Sequence, residues 1–118
     1  MNKHQIKSNV ISDASLITCL ANDYGYDNVY EITLKVLSDK DDLLIIISSS
    51  GESVNVLKCA DLAKRNGMKL ITLTAFGAGN RLWEKPANVS VYIPTSEYGK
   101  AEIGHAALLH AVIDNLET

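Results

Sequence analysis

The sequence predicts an α/β fold, a three-layer αβα sandwich around a parallel sheet. Short β-branched or apolar segments alternate along the chain with segments of helical period, the pattern of strands joined by crossover helices. One of those segments, "LLIIIS" at Leu43 to Ser48, is apolar on both faces, as a strand covered from both sides must be. At 118 residues the chain holds one domain, spanning 1–118 and near the lower limit for three layers.

Four segments are expected as strands because they are short, apolar or β-branched, and bounded by turn formers. They are "NVI" at Asn9 to Ile11, "LLIIIS", "KLITLT" from Lys69 and "VSVYIP" from Val89, with "LLIIIS" expected at the centre of the sheet. Helices are expected between them. In "NVYEITLKVLSD" the residues Val29, Ile32, Val36 and Leu37 share one face. In "SVNVLKCADLAKRNG" Val56, Leu57, Ala60 and Ala63 do so before Gly67 ends the helix. The last and longest helix, "GKAEIGHAALLHAVIDNLE", carries an apolar stripe through Ile103, Ala106, Ala107, Ile113 and Leu116. His110 falls on that stripe, so a buried histidine in need of a partner is expected there.

Bulk composition excludes several classes. Hydrophobic residues are 47% and charged residues 21%, an ordinary balance for a globular protein. A formal charge of −3 leaves no basic surplus for a polyphosphate backbone, so nucleic acid is not an expected partner. The apolar run Leu43 to Ile47 is far short of a bilayer span, and "MNKHQIKSNVI" lacks the apolar core of a signal peptide. No membrane partner and a cytoplasmic location are therefore expected. Cys19 and Cys59 have no ligand-like neighbour at zinc-site spacing and read as buried, reduced thiols.

The segment richest in chemistry is the handover from strand to helix in "LLIIISSSGESVNVLKCADLAKRNG". A loop that follows a parallel strand and opens a helix lies at the carboxyl edge of the sheet, where α/β proteins bind ligands. Unpaired backbone N–H groups and the positive helix end favour an anion there. Ser48, Ser49, Ser50 and Ser53 add hydroxyl donors, and Gly51 lets the backbone approach a ligand closely. With no Walker lysine, the loop suits a phosphate monoester better than a triphosphate. The competing account is that Ser53 is only an N-cap and the other serines are turn formers.

The same residues resemble the phosphate loop of the sugar-isomerase (SIS) domain family, usually Ile-Ser-Thr-Ser-Gly-Asn-Ser before a helix. "CLANDYGYDNVY", "NGMKLITLTAFGAGNRL" and "YGKAEIGHAALLHAVID" resemble further segments of the family's phosphoheptose isomerases, so the likeness spans nearly the whole chain. The resemblance implies a flavodoxin-like sheet and aldose-ketose isomerisation of a sugar phosphate such as sedoheptulose 7-phosphate. It implies that Ser48, Ser50 and Ser53 bind the phosphate, with Ser49 in place of a common threonine, and that Asn22 and Asp23 face the sugar. His110 matches the family's acid/base histidine. Glu102 stands where zinc-binding members have a glutamine that ligates the metal with that histidine, so zinc is the implied cofactor. Glu102 and His110 lie two turns apart and within about a quarter turn of each other, which allows a common ligand. His105, one turn from Glu102, is an alternative partner for it, and His110 has the competing reading of a core histidine held by one hydrogen bond.

One part of the family pattern is missing. Phosphoheptose isomerases begin with helices and a first strand ending in Asn-Gly-Gly-Ser, followed by a helix with a histidine and a glutamate base, and none of this precedes Asn9. A shortened member is therefore expected. In strand order 2-1-3-4-5 the absence leaves a gap of about 10 Å between "NVI" and "LLIIIS". Either those strands pair directly, another chain fills the gap, or "NVI" is loosely held. Three functions follow: an isomerase working as a homo-oligomer (the family forms tetramers), a non-catalytic phosphosugar-binding module, or a protein-interaction scaffold. Isomerase activity of the isolated chain is expected to be absent or very weak.

Overall fold

The computed structural model describes residues 6–116. Helix α1 (Ala14–Tyr24) starts where the Asp13 carboxylate accepts the Leu16 amide at 3.0 Å and ends at Gly25, whose φ is 85°. A 3₁₀ turn (Tyr26–Asn28) leads into α2 (Val29–Leu37). Then come β1 (Leu43–Ser48), α3 (Val54–Arg65), β2 (Lys69–Thr74), β3 (Val89–Tyr92) and α4 (Tyr98–Asn115). The end of α3 explains why a glycine follows it. Met68 N donates to Ala63 O at 2.9 Å and Gly67 N to Lys64 O at 3.4 Å, with Gly67 at φ 71°, so the last carbonyls are satisfied by a left-handed residue.

The strands form one parallel sheet, with β1 paired to β2 from Leu43↔Lys69 to Ser48↔Thr74, and β2 paired to β3 from Ile71↔Val89 to Thr74↔Tyr92. The sheet is flanked by helices, the α/β architecture expected. On one side α2 and α3 pack together over the sheet. Leu34, Leu57, Cys59, Ala60 and Leu62 from those helices meet Ile46, Leu70 and Leu82 in the core. Arg65 and Lys35 both reach the Glu31 carboxylate, at 3.4 and 3.5 Å, and tie the outer surface of this helical layer together.

Five expectations are corrected, the first being that Cys19 is buried: it is exposed, and only Cys59 is buried. Asn9 to Ile11 forms no strand, and Val10 is exposed. Three residues make too few ladder bonds to offset the entropy of ordering them, and no described strand lies beside them. β2, not β1, is central, since the order is β1-β2-β3. On α2 the buried residues are Val29, Thr33 and Leu34, whereas Val36 is 82% exposed. The helix is rotated toward α3, and burial of Thr33 is tolerated because its hydroxyl donates to Val29 O at 2.9 Å. Finally, α4 buries Ala101 and His105, while Ile103, Ala106, Ala107 and His110 are exposed.

The rotation of α2 is testable. Val29→Ala should cost about 2 kcal/mol in urea unfolding and Val36→Ala less than about 0.5 kcal/mol, because only the first side chain leaves a cavity. The buried thiol supplies a second test. Burial, with the Glu31 carboxylate adding to it, pushes Cys59 from 9.0 to about 11. A raised folded value means that its contribution is whole below about pH 9 and is lost as pH rises through about 11. Wild type should therefore lose on the order of 2 kcal/mol across that window relative to Cys59→Ala, read from paired denaturation curves.

Candidate functional site

Because the strands are parallel, the carboxyl ends of β1, β2 and β3 lie on one edge of the sheet. The serine loop leaves that edge at Ser48. Ser48 Oγ accepts the Gly51 amide at 3.1 Å and Ser50 Oγ accepts the Glu52 amide at 3.3 Å, which curls the loop tightly. Ser53 occupies the N-cap position of α3 with extended geometry, yet its side chain makes no capping hydrogen bond. The first-turn amides of Val54 and Asn55 have no carbonyl four residues back within the helix. The exposed Ser53 thus stands, without a capping bond, at the positive end of a 12-residue helix. The one acidic side chain in the loop, Glu52, accepts the Arg81 amide at 3.1 Å through Oε1.

The loop is held by a second loop, residues 75–88, that follows β2. Ala75 N donates to Ser49 O at 2.9 Å and Leu82 N to Gly51 O at 2.8 Å. Between them sits Asn80, a buried side chain. Its amide nitrogen donates to Thr74 Oγ1 at 3.1 Å, Gly77 O at 3.0 Å and Ala75 O at 3.4 Å, and its oxygen accepts Trp83 N at 2.8 Å. Gly51 has φ 65°, and a Cβ there would lie 2.0 Å from Asn80 Oδ1. Glycine is required twice over, by backbone conformation and by space. Phe76, also at positive φ (66°), is pinned by its amide to Thr95 O at 2.8 Å and by its ring against Tyr98, 4.6 Å between centroids.

Of the residues expected at the site, Ser48, Ser49, Ser50 and Ser53 come together. Asn22 and Asp23 lie in the last turn of α1, exposed and bonded to each other at 3.3 Å. No hydrogen bond joins them to the serine loop among the described residues. The histidine expected to be buried, His110, is exposed, as is Glu102. The buried histidine is His105, five residues earlier, and it is not paired with Glu102. Its Nε2 is 2.9 Å from Thr74 O, and since a carbonyl only accepts, Nε2 carries the proton. Its Nδ1 is buried without a partner.

Zinc needs at least three protein ligands in its usual sites. Among the described residues no three His, Cys, Asp or Glu side chains converge, so this chain's described residues do not by themselves fit the metal. Sequence reasoning passed over Asn80. The available signal was the Gly-Asn pair in "AFGAGNRL", a turn former in a segment otherwise rich in glycine.

A parallel sheet with a serine loop and a helix N-terminus at its carboxyl edge places this chain in the class of α/β domains. The chain belongs to the SIS domain family, whose model matches residues 3–75. It is 36% identical over 107 residues to a phosphoheptose isomerase of Helicobacter pylori, covering 90% of this chain and 54% of that one. To a phosphoheptose isomerase of Cytophaga hutchinsonii it is 37% identical over 113 residues, covering 95% and 58%. The chain therefore spans about half the length of the curated relatives it matches. Among solved structures, a phosphoheptose isomerase from Neisseria gonorrhoeae superposes with TM-score 0.82 at 30% identity, covering 87% of this chain and 56% of that one. One from Francisella tularensis gives 0.81 at 28%, covering 87% and 55%.

Gly51→Ala is expected to destabilise the protein by about 2 kcal/mol or more, since it combines left-handed strain with a clash on a pinned neighbour. Denaturant unfolding measures it. Gly77→Ala, where an added Cβ meets nothing within 4 Å, should be close to neutral.

Proposed function

We propose that the chain is a phosphosugar isomerase-like SIS protein that holds a sugar phosphate, such as sedoheptulose 7-phosphate, by its phosphate in the loop from Ser48 to Ser53. One observation carries this reading: Ser53 starts α3 without using its hydroxyl as a cap, leaving that hydroxyl for an anion beside the helix amides. The likeness to phosphoheptose isomerases agrees with it.

Aldose-ketose isomerisation moves a proton between adjacent carbons through an enediol, which needs a base, an acid and stabilisation of a developing oxyanion. His110 is assigned a proton-transfer role, and Asn22 and Asp23 are assigned to the sugar. His110 and Glu102 lie on the exposed surface of α4, so in this reading the rest of the reacting site is drawn from groups beyond the described residues. Zinc would be held here only with ligands beyond the described residues. Free cysteines at 19 and 59 suit a cytoplasmic protein, and among the described residues no helix is long and apolar enough to cross a membrane.

Titration calorimetry with sedoheptulose 7-phosphate tests the loop. Ser53→Ala should weaken binding about tenfold, the loss of one hydrogen bond to a charged group, with thermal stability unchanged because no cap bond is removed. Equal affinity in both proteins would remove the loop from the reading. A positioned base contributes about 10² to 10⁴-fold in rate, and no carboxylate is hydrogen-bonded to His110 among the described residues. The isolated chain is accordingly expected to convert ketose to aldose phosphate very weakly, with or without zinc. Robust turnover abolished by His110→Ala would show a site complete in one chain.

A further inference from the structure

The serine loop has no positive side chain of its own. A phosphate monoester carries a charge of about −1.5 to −2 near pH 7. Residues 48–53 hold a single charged group, the Glu52 carboxylate, and it has the same sign as the ligand. Hydroxyls and helix amides contribute dipoles, so a full positive charge within reach would add the strongest kind of hydrogen bond available to a phosphate.

Other cations around these elements are committed or distant. Arg65 reaches Glu31, Lys85 reaches Asp61 at 2.8 Å and Lys58 donates to Asn28 Oδ1. Lys69 opens β2 and Lys64 lies in the last turn of α3, which puts both at the amino edge of the sheet, opposite the loop. Arg81 differs from all of these. It is exposed, and among the described residues no carboxylate pairs with its guanidinium. Its backbone is nevertheless tied to the serine loop. The Arg81 amide donates to Glu52 Oε1 at 3.1 Å, and the next amide, Leu82 N, donates to Gly51 O at 2.8 Å. Asn80, one residue earlier, is buried against Gly51. Three consecutive residues therefore fix Arg81 beside the loop while its charged end stays unpaired. The bond from the Arg81 amide also turns Glu52 Oε1 onto a donor, which offsets a negative charge next to the anion.

We infer that Arg81 is a phosphate-binding residue: its guanidinium closes over an anion held by Ser48 to Ser53 and supplies the positive charge that the loop lacks. This assignment rests on the phosphate reading of the loop. A guanidinium suits the task because its parallel N–H groups meet two phosphate oxygens at once. Since the Arg81 backbone is already held, only its side chain has to be ordered when the ligand arrives. The contact is made to the phosphate, so it favours phosphorylated over unphosphorylated sugars whatever carbon chain follows.

Titration calorimetry of the full chain with sedoheptulose 7-phosphate tests the assignment. Arg81→Ala should weaken binding about tenfold to a hundredfold, with the melting temperature unchanged because both backbone bonds remain. Arg81→Lys should fall between that variant and wild type, since it keeps the charge and loses the fork. Wild-type affinity should drop as sodium chloride is raised, and Arg81→Ala should flatten that dependence. Lys64→Ala removes the same formal charge at the far edge and should change affinity by less than about twofold. Inorganic phosphate used as a competitor should show the same ordering of variants. Binding weakened by Ser53→Ala but not by Arg81→Ala overturns the Arg81 assignment and leaves the loop reading standing. No binding by wild type, or binding that neither variant alters, overturns both. The assignment also falls if Lys64→Ala loses as much as Arg81→Ala, if Arg81→Lys recovers nothing, if the salt dependence is unchanged, or if the loss is absent with inorganic phosphate.

Discussion

The contact between Gly51 and the Asn80 side chain is the constraint on which the rest of the site depends. Two loops from adjacent strands must share one small volume, and each is shaped by the other. Asn80 satisfies its own hydrogen-bonding groups with Thr74, Ala75, Gly77 and Trp83, so it cannot swing aside without stranding buried polar atoms. Gly51 consequently has one conformation available, and the direction in which Ser53 and the first turn of α3 emerge is fixed with it. A loop that binds an anion through hydroxyls and amides gains from such fixing, since donors already in place lose little entropy when the ligand arrives.

The same economy of means extends to α4. Its attachment to the sheet is concentrated at the carboxyl end of β2, where Thr74 O accepts both Ile93 N at 3.0 Å and the His105 ring. Gly104 lies close by, with Ile93 so near that an added Cβ would fall 2.3 Å from Cδ1. Beyond this anchor most of the helix is in solvent. One strand end therefore serves two structures: the Thr74 side chain holds the loop of Asn80, and the Thr74 carbonyl holds α4.

The three strands that pair were legible from local signals, and β1 and β2 have the bounds that their apolar runs define. The order within the sheet was not legible, because a strand apolar on both faces reads the same whether its second face is covered within the chain or left open. The same ambiguity misplaced the stripe on α4: Ile103, Ala106, Ala107 and His110 have helical spacing, but periodicity says which residues share a face and not which face meets the sheet. Val36 on α2 failed for that reason too. Of the site, the serines and glycine were readable because hydroxyls and a flexible residue after an apolar strand are an unusual local pattern. Asn80 is distant in sequence from Gly51, and its role exists only once two loops are brought together.

His105 carries one consequence further. Because its Nε2 proton is committed to a backbone carbonyl while Nδ1 is sealed from water, the ring is a built-in spectroscopic probe of how α4 sits on the sheet. Nitrogen-15 labelling would separate its signals from those of the solvent-exposed His110 on the same helix. Lifting α4 would free both ring nitrogens of His105 at once, so a single resonance pair records the docking of a helix whose remaining surface is open to solvent.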